Sequence, residues 1–276
     1  MKRALPVLAI LTFLLFLSTQ VRAEKSYKLS MLPRYSPGEI NKRITPLAKL
    51  LSKVLHVTVE PTIVMNFDQY TKHLNKGDIQ IGYENPYIYV LVSGAHEVLA
   101  MAVKGKSGDK FRGIIITKRG SNIKDLADLK GKRIAIVSRT SAGGYLSQKL
   151  TLMKNGIDLE KDCNVFAVTN NKQENVIISV FIGEADAGFI RESALSRAAI
   201  FVPPSQIVVI NRSAWLPNWA LSVSRSFSKK QKEAIQKVLL SLKKDGPVLK
   251  ALKIDSFKLA TDSDYNSVRK AAGMLP

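Results

Sequence analysis

Ile79-Gln80-Ile81-Gly82-Tyr83-Glu84-Asn85-Pro86-Tyr87 is a short apolar strand that leads directly into the start of a helix. Glu84 or Asn85 can cap that helix, because short polar side chains satisfy the first free backbone N–H groups. Tyr87 then either faces a cleft beyond the strand end or packs as an ordinary helix residue. The stretch therefore predicts a strand-to-helix junction of the kind that carries ligand sites in α/β folds.

The same order of short strand and amphipathic helix continues on both sides of this junction. It predicts an α/β fold in which mostly parallel sheets are flanked by helices. An apolar run at 219–223 and two or three C-terminal helices complete the chain. Strands are predicted at 28–32, 57–64, 79–83, 98–103, 112–117, 133–137, 164–168, 185–190 and 207–210, and helices at 40–55, 67–74, 87–92, 122–129, 143–153, 174–181 and 192–198.

The alternation runs twice, which predicts two lobes with a ligand cleft between them. The C-terminal tail is too long for a cap and too short for a domain, so we expect it to return to the first lobe. The first lobe is then 24–112 with 213–276, and the second is 113–212. The chain would cross between them near 109–115 and 209–216.

Residues 1–23 have the pattern of a cleaved secretory signal peptide. Lys2 and Arg3 precede the apolar run 4–17, and Val21 and Ala23 fit the small-residue positions before a cut at Glu24. The alternative is a membrane anchor, but the run is shorter than the ~20 residues that a spanning helix needs. Cys163 is the only cysteine, so neither an internal disulfide nor N-terminal lipidation is expected. The sequence thus predicts a free protein in a Gram-negative periplasm.

The formal charge of the chain is +20, and the three cations of the signal peptide leave +17 for the rest. Such a charge attracts small oxyanions, acidic lipid head groups or nucleic acid. The alternative is a solvated surface, since the lysines are scattered. Export, and the lack of a zinc-finger or aromatic-basic RNA motif, argue against nucleic acid.

Two further junctions have groups suited to an anion. The turn at 138–145 offers the hydroxyls of Ser138, Thr140 and Ser141 where a helix begins, although an ordinary N-cap explains it equally well. Arg191 follows the strand 185–190 and can pair with an anionic group or with its neighbour Glu192.

Catalytic and metal-binding motifs are not found in the sequence. His56, His73 and His96 have no metal-ligand spacing, and no Gly-x-Ser-x-Gly or Walker sequence occurs. We therefore expect neither an enzyme nor a cofactor or metal.

Several segments carry a likeness to a known family: YSPGE at 35–39 with TPLAKLL at 45–51, IQIGYENPYIY at 79–89, IKDLADLKGKRIA at 123–135 and GEADAG at 183–188. They resemble the substrate-binding proteins of phosphonate, phosphite and phosphate ABC transporters. The resemblance implies a two-lobed periplasmic-binding-protein (type II) fold and a monomer. It also implies a small anionic ligand, phosphonate-like or phosphate-like, and an inner-membrane ABC permease as partner.

The ligand positions depart from the family pattern. The family has a Ser-Thr-Ser-Gly run where this chain has Ser141-Ala142-Gly143-Gly144, so two hydroxyls are lost. A family histidine aligns with Lys172, and an acidic residue aligns near Trp219. Phe67 stands where the family has a tyrosine. The lost hydroxyls and these replacements favour a phosphate-like ligand or an organic molecule with one anionic end. The implied ligand-binding residues are Arg34, Tyr35, Phe67, Glu84, Asn85, Tyr87, Ser138, Thr140, Ser141, Ala142, Gly143, Lys172, Arg191 and Trp219.

Other roles are compatible with the same sequence. The two lobes could report a ligand to a membrane-bound kinase or cyclase, and the basic surface could bind lipopolysaccharide or acidic phospholipid. Capture of a ligand for a transporter is the leading interpretation.

Overall fold

A computed structural model describes residues 26–274 of the chain, and the predicted signal peptide lies outside the described residues. The described part alternates strands and helices nearly as expected. The strands are β1 (Ser26–Met31), β2 (Thr58–Thr62), β3 (Ile81–Glu84), β4 (His96–Val103), β5 (Lys110–Lys118), β6 (Arg133–Ile136), β7 (Asn164–Ala167), β8 (Ala187–Arg191), β9 (Ile207–Pro217), β10 (Ala220–Ser224) and β11 (Ser256–Leu259). The helices are α1 (Pro37–Leu55), α2 (Phe67–Lys76), α3 (Pro86–Val92), α4 (Ser147–Lys154), α5 (Leu159–Asp162), α6 (Gln173–Ile182), α7 (Lys229–Leu240), α8 (Pro247–Leu252) and α9 (Asn266–Ala271).

Two sheets form the two lobes, which confirms the predicted fold class. The first has the strand order β11-β4-β10-β3-β1-β2, and the second has the order β7-β6-β8-β5-β9. The chain passes between the sheets after β4 and again after β9. The boundaries predicted at 112/113 and 212/213 therefore fall inside β5 and β9, which pair with each other from Lys110↔Pro217 to Lys118↔Ile207.

The expectation of mostly parallel sheets needs correction, because each sheet is mixed. β1 runs parallel to β2 and β3, and β6 runs parallel to β7 and β8. β10, β11, β5 and β9 add antiparallel pairings. β5 and β10 enter their sheets directly from the other lobe and not through a helical crossover, whereas β9 leads out of the second lobe and β11 follows α8 within the first.

The helix predicted at 122–129 is wrong. Only a 3-10 turn at Ala127–Leu129 forms there. The Asp128 carboxylate accepts from the backbone N–H of Lys124 at 2.8 Å, and the Asp125 carboxylate accepts from that of Ala127 at 2.8 Å. Aspartate side chains thus bind the N–H groups that a helix would have used.

Helix α1 shows how the sequence builds the first lobe. Ser36 caps it, Pro37 occupies its first turn, and apolar side chains recur on one face. Ile44 and Leu51 on that face are fully buried, and each such side chain contributes about 1.5–3 kcal/mol to stability. Within residues 26–274, no helix combines the length and apolarity needed to cross a membrane.

Candidate functional site

Two neighbouring cavities lie between the lobes, at strand ends of both sheets. The smaller has a volume of about 20 Å³, and its walls include Asn85 from the first lobe and Ser141 from the second. The larger has a volume of about 250 Å³. Arg34, Arg191 and Trp219 line both cavities, so the two are parts of one cleft.

Arg34 and Arg191 form the cationic centre of this cleft. Arg34 is buried and Arg191 is partly exposed, and the buried atoms Nε and Nη2 of Arg34 and Nε of Arg191 have no hydrogen-bond acceptor among residues 26–274. Burial is the main cause, and repulsion from Arg34 the second, of a pKa of Arg191 that is lowered to about 9. Arg34 lies 5.6 Å from the Trp219 ring, and Arg191 stacks 4.0 Å from the Phe111 ring. Buried guanidinium N–H groups without acceptors are costly, and an anion would satisfy them.

Tyr35 lies in the larger cavity among several guanidinium groups. Its ring centroid is 4.0 Å from Arg43, 4.9 Å from Arg34 and 5.3 Å from Arg197. Burial alone would raise the pKa of Tyr35, but these cations and Arg191 outweigh it and lower the pKa to about 7. Near neutral pH the phenol therefore exists partly as an anion.

The turn between β6 and α4 presents its start to the smaller cavity. Ser141, Ala142 and Gly143 line it, and the Ser141 hydroxyl already accepts the N–H of Gly144 at 3.0 Å. A Cβ at Gly143 would lie 2.9 Å from Phe111 and 3.0 Å from Arg191, so only glycine lets this turn approach the arginine.

Ser138 and Thr140 do not line either cavity. The Ser138 hydroxyl lies 2.8 Å from that of Thr140 and accepts the Thr140 N–H at 3.1 Å. The two predicted ligand residues therefore hydrogen-bond within their own turn.

Hydrogen bonds join the lobes around the cavities. Asn85 caps α3 through its oxygen and donates its Nδ2–H to the Thr140 carbonyl at 3.2 Å. The backbone N–H of Phe67 donates to the Asn171 side chain at 3.4 Å. Lys172 Nζ donates to the Tyr35 carbonyl at 2.7 Å. Lys172 thus links the second lobe to the first and lines neither cavity.

The family model for "ABC transporter, phosphonate, periplasmic substrate-binding protein" matches residues 29–265. This chain belongs to that family. The Phosphate-import protein PhnD of Mycolicibacterium smegmatis is 21% identical over 183 residues, which cover 62% of this chain and 57% of that protein. The chain therefore spans little more than half the length of that relative.

Solved structures of the phosphonate-binding family share the fold. PhnD1 of Prochlorococcus marinus (MIT 9301), in complex with methylphosphonate, superposes with a TM-score of 0.76 at 19% identity, over 91% of this chain and 99% of that one. A binding protein component of an ABC phosphonate transporter from Pseudomonas aeruginosa gives a TM-score of 0.76 at 16% identity, over 90% and 86%. These likenesses confirm the two-lobed fold that the sequence predicted.

Glu84, a predicted ligand residue, lies inside the first lobe and lines neither cavity. Its carboxyl group accepts from the hydroxyls of Ser222 at 2.6 Å and Tyr70 at 2.9 Å, and Ser222 Oγ also lies 3.0 Å from His96 Nδ1. Burial raises the pKa of Glu84 to about 7, although both hydrogen bonds oppose the rise, and burial lowers the pKa of His96 to about 4. Strand alternation accounts for this placement, because Glu84 shares a sheet face with Gly82.

Tyr87 is half-buried at the start of α3 and lines neither cavity. The remaining predicted residues, Phe67 and Trp219, are buried in the cavity walls, where Phe67 lines the smaller cavity only. Trp219 packs 5.2 Å from the Tyr83 ring. Phe67 and Trp219 therefore form part of the walls around the cations.

Sequence reasoning missed Arg43, Lys104 and Arg197, which line the larger cavity. Arg43 had a usable signal: it falls on the apolar face of α1, beside Ile44, and a cation there is either paired or functional. Lys104 lies between two strands, where no periodicity indicates which way a side chain points, and Arg197 lies in the 3-10 helix Glu192–Ile200, where the sequence predicted an ordinary helix at 192–198. Among residues 26–274, no group of histidine, cysteine and acidic side chains is arranged to hold a metal ion.

Proposed function

We propose that this protein captures a phosphorus oxyanion, such as a phosphonate or phosphate, between its lobes and delivers it to an ABC permease. The observation that carries the proposal is the pair Arg34 and Arg191, one from each lobe, which present buried guanidinium nitrogens without acceptors at the wall shared by the two cavities. A tetrahedral oxyanion accepts several hydrogen bonds at once, and arginine offers them in pairs.

The chemistry of the cavity walls supports an anion. Arg34, Lys104 and Arg191 make no ion pair with a carboxylate among the described residues. The structure also offers a reason why lost hydroxyls are tolerable, since guanidinium N–H groups supply the donors that Ala142 and Gly143 lack. Membership of the family supports transport, a periplasmic location and a membrane permease as partner. We further propose a monomer.

Thermal unfolding with a panel of anions tests this proposal. Phosphate, phosphite and methylphosphonate are compared with sulfate, acetate and glycine. A ligand at 100 times its Kd adds about 2.7 kcal/mol of stability, which corresponds to a rise of about 5–10 °C in Tm for a chain of this size. We expect such a rise with at least one phosphorus oxyanion and a smaller one with acetate or glycine.

Two variants separate the cleft from the basic surface. Arg191→Gln should abolish the rise, whereas Lys230→Gln, on the exposed start of α7, should leave it intact. A rise that survives Arg191→Gln, or no rise with any phosphorus oxyanion, would contradict the proposal. Sensing and envelope binding remain predictions of the sequence, and vesicle binding by the Arg191→Gln variant would favour the latter.

A further inference from the structure

The larger cavity carries more positive charge than one phosphonate group can neutralise. Six cationic side chains line it, of which Arg43 and Lys253 share Glu39, at 2.7 and 3.8 Å. Arg197 pairs with Glu174 at 3.1 Å. Six cations against two carboxylates leave four positive charges, or three where the Tyr35 phenol is ionised, whereas a phosphonate group supplies at most about two negative ones.

The excess positive charge is concentrated away from the smaller cavity. Arg197, Arg43 and Lys104 line only the larger cavity, while Arg34 and Arg191 also face the smaller one. Arg197 Nη2 is buried and has no acceptor among residues 26–274. Its Nη1 lies 3.5 Å from the Tyr35 hydroxyl. A second group of cations, with one unsatisfied donor on Arg197, thus lies beyond the arginine pair.

The cations of this second group come from both lobes. Arg197 follows β8 in the second lobe, Arg43 belongs to α1 in the first, and Lys104 lies in the segment that joins β4 to β5. An anionic group placed among them would contact both lobes and so stabilise their closure. The large cavity, at about 250 Å³, has room for such a group beside the first.

We infer that the ligand of this protein carries two anionic groups, a phosphorus oxyanion at Arg34 and Arg191 and a second acidic group at Arg197 and Lys104. This inference rests on the proposed function and narrows its substrate class. A carboxylate or a second phosphoryl group joined by a short linker fits the second position, because arginine and lysine bind both. A ligand with an amino group there would meet repulsion from these cations.

Calorimetric titration with two matched probes tests the inference. Phosphonoacetate has a carboxylate next to its phosphonate, and propylphosphonate has similar length without the second charge. We expect phosphonoacetate to bind about 10-fold or more tightly than propylphosphonate, since a charge-assisted hydrogen bond contributes that much. Methylphosphonate is titrated alongside as the shortest probe.

Variants locate the effect. Arg197→Gln and Lys104→Gln should each reduce the preference for phosphonoacetate to about 3-fold or less, because each removes a donor from the second position only. Arg212→Gln is the matched control: Arg212 pairs with Glu192 on the exposed side of β9 and lines neither cavity. It should keep the preference. The Tm of each variant reports whether it folds. If one of the two test variants does not fold, the other still measures the preference for phosphonoacetate.

The outcomes distinguish this inference from the proposed function. Equal binding of phosphonoacetate and propylphosphonate, or a preference that survives both test variants, would refute the second anionic position while leaving phosphonate capture intact. Absence of binding by all three phosphonates and by phosphate would overturn the proposed function, and the inference with it.

Discussion

Lys172 Nζ donates a hydrogen bond of 2.7 Å to the main-chain carbonyl of Tyr35, and this bond crosses the cleft from the second lobe to the first. Lys172 immediately precedes α6, whereas Tyr35 lies in the loop before α1. The bond exists only while the lobes are together. Lys172 therefore stabilises the closed arrangement of the lobes, in which Arg34 and Arg191 face the same cavity.

Lys172→Met should weaken ligand binding through lobe closure. A hydrogen bond from a charged group contributes about 1.5–3 kcal/mol when buried, and for this half-buried lysine we expect about 1 kcal/mol. The Kd for methylphosphonate should rise about 5-fold, and the radius of gyration from small-angle X-ray scattering should increase. Lys161→Met, which removes an exposed partner of Asp158, is the control. Unchanged scattering and affinity in Lys172→Met would show that the bond has no part in closure.

Binding of an anion should be accompanied by proton uptake at Tyr35. Its pKa is about 7 in the cluster of guanidinium groups, and a bound anion nearby would raise that pKa. The neutral phenol then favours the complex, so affinity is fully present below about pH 7 and declines above it by up to 10-fold per pH unit.

Comparison with Tyr35→Phe isolates this effect. The ionisation of the ligand itself is common to both proteins and cancels in the ratio of their affinities. That ratio, wild type over variant, should fall between pH 7 and 9 in calorimetric titrations. A constant ratio would mean that Tyr35 does not titrate on binding.

Gly143→Ala should impair binding more than stability. The added methyl group would meet Phe111 and the base of the Arg191 side chain at about 3 Å, and such overpacking typically costs 1–3 kcal/mol. Displacement of Arg191 should lower affinity for methylphosphonate by at least about 10-fold. Gly38→Ala, in the first turn of α1 with open space around it, is the matched control. If both variants bind like the wild type, the turn at 141–144 does not position the arginine.

The buried pair of Glu84 and His96 should give opposing pH dependences of stability. The raised pKa of Glu84, about 7 against about 4.3 unfolded, provides stability at low pH that is lost as the pH rises through 7. The lowered pKa of His96, about 4, provides stability above about 6.5 that is lost as the pH falls through 4. Between about pH 4.5 and 6.5 the two slopes oppose each other.

Glu84→Gln keeps the shape of the side chain and one of its two acceptor oxygens while removing one titration. The free energy of unfolding of the variant relative to wild type should therefore increase from pH 5 to pH 7.5, by up to about 3 kcal/mol. Urea unfolding at several pH values measures it. A difference that does not change with pH would show that Glu84 titrates normally in the folded protein.

The sequence predicted the two lobes because the strand and helix periods in this chain are clear. α2, for example, begins at Phe67 and β3 ends just before Asn85, close to the expected bounds. The sequence did not predict β11, because this strand has only four residues and lies in a lysine-rich region with the pattern of an exposed helix surface. Short edge strands gain their stability from the neighbouring strand, here β4, and carry little pattern of their own.

Individual site residues were harder to predict than the lobes that carry them. The orientation of a side chain at a strand end depends on register and on the facing lobe, which is why Glu84 turns into the core while the adjacent Asn85 reaches across the cleft. Arg197 enters the cavity from the 3-10 helix Glu192–Ile200, which has about three residues per turn and so directs its side chains differently from the helix predicted at 192–198. Charge clusters formed by distant segments become visible only after folding.

A crystal structure of the protein with methylphosphonate tests the central claim most directly. We expect the phosphonate between the lobes, with its oxygens at about 2.7–2.9 Å from guanidinium nitrogens of both Arg34 and Arg191. Lys172 should still contact the Tyr35 carbonyl in that complex. A phosphonate bound on the outer surface, or one that contacts neither arginine in the cleft, would contradict the account.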